Sequence, residues 1–195
     1  IFMPRTTPRQ KIERVKDLGG KWVNIKILGD TYDEAFGYAN EFAKRTNKIL
    51  VHPFDDPKII SGQGTVAYEI FNQFDQKIDY LVVPIGGGGL ISGISIYAKS
   101  IYPKIKIIGV EPFGAPAMYE SLKKDKIVEL QQIDKFVDGA AVKKVGKLTF
   151  QICKKYVDKV ILVEEGRICL EMLDLYQKNG IIAEPAGVLS LAGLD

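Results

Sequence analysis

Four consecutive glycines, Gly86 to Gly89, stand between an apolar β-branched run and a helical pattern that begins at Leu90. Glycine has no Cβ, so the backbone N–H groups of such a run can turn inward and approach an anion closely. The positive end of the following helix adds to the attraction. Four successive glycines carry a large entropic cost unless the backbone requires them. We therefore interpret Gly86, Gly87, Gly88, Gly89 and Leu90 as a loop that binds the phosphate of a ligand.

The spacing around this loop does not fit two familiar nucleotide-binding motifs. A P-loop needs Lys and then Ser or Thr after its last glycine, whereas Ile-Ser follows Gly93. The dinucleotide fingerprint G-x-G-x-x-G also fails, because Ile91 or Ser92 occupies the place of its last glycine. Glu111 nevertheless ends the next apolar run about twenty residues on, where such a protein places its ribose-binding acid. A nicotinamide-dinucleotide-binding oxidoreductase domain therefore stays open as an alternative.

The composition is that of a globular protein with no strong charge bias. The 195 residues are 46% hydrophobic and 26% charged, with a net charge of +3. The lysines are interleaved with apolar residues, which predicts solvated helix faces and no nucleic-acid partner. No apolar run approaches the roughly 18 residues that span a bilayer, and no signal peptide precedes Ile1, so we expect a cytoplasmic protein without membrane contact.

Neither the cysteines nor the histidine has the spacing of a metal or redox site. Cys153 and Cys169 belong to separate predicted helices without a C-x-x-C pattern or a nearby histidine. We expect both to be buried free thiols. His52 is the single histidine and stands beside Pro53, so we assign it no catalytic role.

Strand and helix patterns alternate along the chain, which is typical of an α/β fold with a parallel sheet. Ligands of such folds bind at the carboxyl ends of the strands, where the glycine loop falls. The predicted strands are residues 1–3, 22–28, 49–51, 80–85, 105–110 and 160–163. The predicted helices are residues 8–18, 31–45, 61–74, 90–101, 116–124, 147–156, 165–177 and 185–194, and residues 55–58 are predicted as a turn. Both ends of the chain lie inside such patterns, and we expect an internal piece of a longer protein.

Six short motifs follow one another along the chain. They are Phe-Asp-Asp-Pro (54–57), Ser-Gly-Gln-Gly-Thr (61–65), Pro-Ile with the four glycines and a leucine (84–90), Gly-Val-Glu (109–111), Asp-Gly-Ala-Ala-Val (138–142) and Ala-Glu-Pro-Ala-Gly (183–187). In this order they resemble the threonine dehydratases, which belong to the tryptophan-synthase-β-like (fold type II) pyridoxal-phosphate enzymes. The resemblance covers essentially the whole chain, and residues 183–185 look closer to the biosynthetic than to the catabolic enzymes.

The resemblance implies a three-layer α/β architecture, incomplete in this chain, with mostly parallel sheets and flanking helices. Residues 1–52 would be part of the small mobile lobe and residues 53–195 part of the large cofactor-binding lobe. It also implies the central portion of a pyridoxal-phosphate-dependent ammonia-lyase of isoleucine biosynthesis, which converts L-threonine to 2-oxobutanoate and ammonia by β-elimination. A serine dehydratase or serine racemase of the same family is the alternative. The implied partners are an amino-acid substrate and further copies of the protein, in a dimer or tetramer.

By the same resemblance, the five loop residues would bind the phosphate of pyridoxal phosphate. The lysine that binds this cofactor covalently would belong to a motif of the Ser-x-Lys-x-Arg-Gly type upstream of Ile1, so we assign no catalytic residue to this chain and expect the chain alone to be inactive. In the related serine racemases the residue matching Glu111 helps bind a divalent cation, but alanine stands here at 115 and 117, and we predict no metal site. Gly139 would lie near the cofactor ring and Glu184 by the wall of the site, unless both serve only as turn or capping structure.

Overall fold

The computed structural model describes residues 1–194, which divide into two units, one from Ile1 to Val51 and one that begins at His52. In the first unit two short strands pair in parallel, and the longer of its two helices packs against the first strand. The elements of this unit are β1 (Phe2–Met3), α1 (Arg9–Gly19), a 3-10 turn (Gly20–Trp22), β2 (Lys26–Ile27) and α2 (Tyr32–Thr46).

The second unit is built on a parallel three-stranded sheet with strand order β3-β4-β5. Helices stand between the strands in sequence, as a parallel sheet requires. The strands are β3 (Tyr80–Pro84), β4 (Lys106–Pro112) and β5 (Lys159–Val163). The helices are α3 (Pro57–Gln63), α4 (Thr65–Gln73), α5 (Gly89–Ile101), α6 (Ala117–Lys123), α7 (Lys147–Tyr156), α8 (Glu165–Asn179) and α9 (Pro185–Ala192).

Helices cover both faces of this sheet. Successive residues of a strand point to opposite faces, and on β4 the Cα of Gly109 faces Ile85 and Ile91, near the start of α5. Its neighbour Val110 belongs to the apolar cluster formed with α8 and α9, which includes Ile168. The fully buried aliphatic residues are thus divided between two layers. The predicted α/β class with a parallel sheet and flanking helices is confirmed.

Two helices at the edge of the second unit differ from the sequence prediction. Asp56 and Pro57 were expected in a turn, but the Asp56 carboxylate accepts the N–H of Lys58 (2.8 Å) and caps α3, which Pro57 begins. The single helix expected over 61–74 is interrupted at Gly64, where a Cβ would stand 3.1 Å from the carbonyl oxygen of Gly93. Because glycine has no Cβ at this position, α3 and α5 can approach each other closely.

Two predicted strands are wrong or much shorter. Residues 49–51 form no strand, and Ile49 is 93% exposed, so this apolar run has no pairing partner in residues 1–194. The strand expected over 22–28 is reduced to Lys26–Ile27, and Trp22 is 86% exposed in the 3-10 turn. Apolar β-branched runs predict strands only where a partner strand is available to satisfy their backbone.

Candidate functional site

The glycine loop lies at the carboxyl end of β3, between the sheet and α5. The N–H of Ile85 donates to Val110 O (2.8 Å), which makes Ile85 the last residue tied to the neighbouring strand. Gly88 has a φ of +94°, in the left-handed region that favours glycine, and α5 begins at the next residue. Gly87, Gly88 and Gly89 are buried.

The backbone N–H groups of the loop have no acceptors among the residues that the structure describes. The first intrahelical bond of α5 runs from Ser92 N–H to Gly88 O (3.0 Å). Within residues 1–194, no hydrogen bond is donated by the N–H groups from Gly86 to Leu90. Buried N–H groups without partners are rare in folded proteins and cost free energy unless a ligand satisfies them. The loop therefore presents N–H donors without acceptors at the start of a helix of 13 residues, an arrangement that favours an anion.

The surroundings of the loop leave no room for side chains. A Cβ on Gly87 would stand 2.3 Å from the ring of Phe54, and one on Gly89 would stand 2.9 Å from Phe54 Cβ. A Cβ on Gly88 would meet the Met118 methyl at 2.8 Å and Thr149 Cβ at 2.9 Å. Gly87, Gly88 and Gly89 can therefore present only backbone groups to a ligand.

Phe54 is held against the loop by its neighbours in the turn. His52 Nδ1 accepts the N–H groups of Phe54 (3.2 Å) and Asp55 (2.8 Å), and the rings of His52 and Phe54 meet edge to face at 4.7 Å. Burial lowers the pKa of His52 against the opposite effect of the nearby aspartates, which favours the neutral ring that can accept these bonds. His52 thus has a structural place in the turn.

The same turn fixes the start of α7. The Asp55 carboxylate accepts three backbone N–H groups, from Lys147 (3.0 Å), Leu148 (2.9 Å) and Thr149 (3.1 Å). A carboxylate in this position satisfies donors that a helix start leaves unpaired and matches the helix dipole. These hydrogen bonds join Asp55 to residues that lie 92 to 94 positions farther along the chain.

Glu111 is 1% exposed and faces the N-terminus of α6. Its two carboxylate oxygens accept the N–H groups of Met118 (2.8 Å) and Tyr119 (2.7 Å). Burial raises the pKa of Glu111 to about 8, although the two N–H bonds act in the opposite direction. A side chain enclosed in this way cannot reach a ribose, so the structure removes the support for the dinucleotide alternative. In residues 1–194 no three His, Cys, Asp or Glu side chains converge as metal ligands would.

Gly139 and Glu184 lie next to each other. A Cβ on Gly139 would stand 3.3 Å from Glu184 Oε1 and 2.9 Å from Ala186 Cβ. The neighbouring residue, Ala140, borders the loop, because a Cβ on Gly86 would stand 3.1 Å from Ala140 Cα. The 138–142 segment thus reaches the edge of the glycine loop, and the 183–187 segment lies behind it, next to Gly139.

The expectation of two buried thiols is half correct. Cys153 is fully buried near Ser92, with Sγ and Oγ 3.9 Å apart, and burial raises the pKa of Cys153 to about 12. Cys169 is exposed, because it lies on α8 next to Ile168, the residue that faces the core. Adjacent helix residues point in directions about 100° apart, and beside the core-facing Ile168 this turns Cys169 toward solvent.

Comparison with known proteins agrees with this geometry. A family model described as pyridoxal-phosphate dependent enzyme matches residues 1–195. The chain belongs to this family. It is 55% identical to a biosynthetic L-threonine dehydratase, IlvA, of Halalkalibacterium halodurans and 47% identical to that of Bacillus subtilis. Both matches cover all of this chain and 47% and 46% of the relatives, so the chain spans about half the length of the curated relatives it matches.

Solved structures that are similar to this chain agree with the family assignment. A processed threonine deaminase isoform 2 from Solanum lycopersicum matches with a TM-score of 0.89 and 41% identity, over 98% of this chain and 55% of the other. Maize serine racemase matches with a TM-score of 0.88 and 35% identity, over 97% of this chain and 56% of the other. The similarity to threonine dehydratases expected from the motifs is confirmed.

The residues of the loop fit the phosphate of this family's cofactor. A phosphate monoester offers several acceptor oxygens and negative charge, and the loop offers N–H donors without acceptors and no space for side chains. Sequence reasoning identified the loop but missed the residues that shape it. Phe54 and Asp55 stood in a motif that the resemblance uses, while Met118 and Thr149 carried no local signal.

Proposed function

We propose that the chain is the central portion of a pyridoxal-phosphate-dependent threonine dehydratase, which converts L-threonine to 2-oxobutanoate and ammonia in isoleucine biosynthesis. The observation that carries the proposal is the glycine loop, whose buried N–H groups have no acceptors in residues 1–194. Its support from outside the molecule is the 55% identity to a biosynthetic L-threonine dehydratase.

In this proposal Gly86, Gly87, Gly88, Gly89 and Leu90 bind the cofactor phosphate through their backbone N–H groups. When bound, pyridoxal phosphate draws electrons from the α-carbon of an amino acid and makes its C–H more acidic. The loop fixes the phosphate end at the sheet, and a fixed phosphate keeps the rest of the cofactor in one orientation toward the substrate. Phe54, which fills the space over Gly87 and Gly89, keeps the loop in this shape.

We assign no proton-transfer step to a residue of this chain. None of its lysines stands in the Ser-x-Lys-x-Arg-Gly context that the resemblance gives to the covalent lysine. We therefore propose that residues 1–195 alone have no dehydratase activity. Measurable 2-oxobutanoate formation by this segment with added cofactor would contradict this.

We further propose that residues 1–52 belong to a small mobile lobe and residues 53–195 to a large cofactor-binding lobe. The complete protein would act in the cytoplasm, as expected of amino-acid biosynthesis, and as a homo-oligomer. Sedimentation of the complete protein would distinguish a dimer from a tetramer. A monomer that is fully active would contradict the oligomer.

The complete protein provides the test of activity. With pyridoxal phosphate bound, we expect L-threonine to yield 2-oxobutanoate, and removal of the cofactor to abolish the reaction until it is added back. L-serine should give pyruvate more slowly. Formation of D-serine as the main product would favour the racemase alternative instead. No keto acid from either substrate, with the cofactor supplied, would refute the proposal.

A further inference from the structure

The Thr149 side chain bonds directly to the glycine loop. Thr149 lies in the first turn of α7, is fully buried, and its Oγ1 donates to Gly87 O at 2.8 Å. The carbonyl oxygen of Gly146 lies farther from the same hydroxyl, at 3.3 Å. A hydroxyl has a single proton to donate, and the shorter distance assigns it to Gly87. The bond joins residues 62 positions apart.

This hydrogen bond determines which way one peptide group of the loop faces. No cis peptide bond occurs in residues 1–194, and in a trans peptide the C=O and the N–H point in opposite directions. Because Thr149 holds the carbonyl of Gly87 toward α7, the N–H of Gly88 in the same peptide group points away from α7. That N–H has no acceptor within residues 1–194.

The orientation needs such a restraint because glycine flanks this peptide on both sides. Glycine populates positive and negative φ with similar ease, so the Gly87–Gly88 peptide can rotate at little cost. The opposite orientation would direct a carbonyl oxygen, instead of an N–H, toward a bound anion. Gly88 has a φ of +94°, and Thr149 Cβ and the Met118 methyl occupy the space where its Cβ would stand.

We propose that Thr149 is a positioning residue for the cofactor phosphate: its hydroxyl holds the Gly87–Gly88 peptide with the Gly88 N–H directed at the phosphate. The inference rests on the proposed function, since it concerns the same loop. Thr149 is itself fixed, because its backbone N–H donates to Asp55 Oδ1 at 3.1 Å. The turn that carries Phe54 therefore sets both the shape of the loop and the direction of this donor.

The test uses the complete protein and compares two substitutions of one residue. Thr149→Val keeps the shape of the side chain and removes the hydroxyl, whereas Thr149→Ser keeps the hydroxyl and removes the methyl. Thr65→Val is the matched control, because the Thr65 hydroxyl also donates to a glycine carbonyl, Gly62 O at 2.7 Å, but in a different helix. The Kd of each cofactor-free protein is measured for pyridoxal phosphate and for pyridoxal, which lacks the phosphate.

We expect Thr149→Val to raise the Kd for pyridoxal phosphate by about tenfold or more, because a Gly88 N–H that turns away loses a charge-assisted bond to the phosphate. Thr149→Ser and Thr65→Val should change it by less than about threefold. The Kd for pyridoxal should be the same in all four proteins. A hydroxyl that only stabilises the fold would raise both Kd values together, and this result would overturn the inference.

A measurement on the wild-type protein keeps the inference testable if Thr149→Val does not fold. With glycine labelled by ¹⁵N, we expect the Gly88 amide proton to move downfield when pyridoxal phosphate binds, and not when pyridoxal binds. An unchanged Gly88 amide in a protein that binds the cofactor would overturn this inference alone. A wild-type protein that does not bind pyridoxal phosphate would overturn the proposed function as well.

Discussion

The ring of Phe54 fills the space into which a side chain on Gly87 would project, and a Cβ there would stand 2.3 Å from Phe54 Cδ1. Real Cβ atoms do not approach so closely, so either the ring or the loop would have to move. The two residues come from separate segments of the sequence, a turn before α3 and the loop after β3. The pair explains why this position of the loop must be glycine.

Gly87→Ala in the complete protein should therefore displace the ring or the loop. We expect a loss of about 1–3 kcal/mol in the free energy of unfolding, as for other overpacked sites, together with weaker binding of pyridoxal phosphate. Denaturant unfolding and cofactor titration measure the two effects. Gly166→Ala in α8 is the control, since apart from the adjacent residues and the backbone of its own helix nothing lies within 4 Å of its Cβ position. Equal effects of the two substitutions would contradict the role of the Phe54 contact.

Asp55→Ala removes the acceptor of three N–H groups at the start of α7. We expect it to cost about 1–2 kcal/mol of stability, the usual range for a lost helix cap. Because the cap also positions Thr149, binding of pyridoxal phosphate should weaken too.

Asp56→Ala is the matched control for Asp55→Ala. Asp56 caps α3 through Lys58 and Ile59, so its removal should cost similar stability in thermal or denaturant unfolding. It should leave the Kd for pyridoxal phosphate unchanged, since Asp56 does not hold α7. A Kd that rises equally in both variants would show that the α7 cap has no special part in the site.

Glu111→Gln should change how stability depends on pH. Burial raises the pKa of Glu111 from 4.5 to about 8 in the folded protein, so the folded state holds the proton more tightly than the unfolded state. This contribution is fully present below about pH 4.5 and is lost as pH rises through about 8.

The free energy of unfolding of the wild type, minus that of Glu111→Gln, should accordingly fall between pH 5 and 9. Glutamine does not titrate and has one acceptor oxygen for the two N–H groups that Glu111 binds, which adds a constant offset. Chemical denaturation at each pH measures the difference. A difference that stays flat over this range would show that Glu111 does not titrate there.

Asp158→Asn should change how stability depends on pH in the acidic range. Burial alone would raise the pKa of Asp158, but hydrogen bonds from Lys99 (2.7 Å), Ile107 N–H (2.9 Å) and Lys106 (2.9 Å) outweigh it and lower the pKa to about 2. A carboxylate with a lowered pKa stabilises the fold above its unfolded pKa of about 3.9, and this stability is lost as pH falls toward 2.

We expect Asp158→Asn to cost about 1 kcal/mol at pH 6, a value reduced by the solvent that screens the half-exposed Lys106. The cost should shrink as pH falls from about 4 to 2. Asp79→Asn is the control, because the Asp79–Lys77 pair is well exposed and should contribute little at any pH. Unfolding curves at pH 2.5, 4 and 6 measure this cost. A cost that does not change with pH would contradict the lowered pKa of Asp158.

The sequence pattern predicted strands and helices correctly where the residues of a single segment determine its structure. The strand over 80–85 and the helix from 90 were predicted within one residue of β3 and α5, because β-branched alternation, glycines and helical periodicity succeed each other directly. It failed at residues 49–51, where strand-like residues have no neighbouring strand in residues 1–194. It also failed at Asp56 and Pro57, since the same pair begins a turn or a helix depending on the residues that come after it.

The sequence by itself determined the α/β class and the resemblance to the threonine dehydratases, and it predicted that residues 86–90 bind an anion, because each depends on residue types that stand close together or recur in order. Only the tertiary structure decided what surrounds the loop. Phe54 against Gly87, Asp55 at the start of α7, and Thr149 on the Gly87 carbonyl join segments that are 33 to 94 positions apart. Such contacts depend on how the chain folds back on itself, and no local pattern encodes that path.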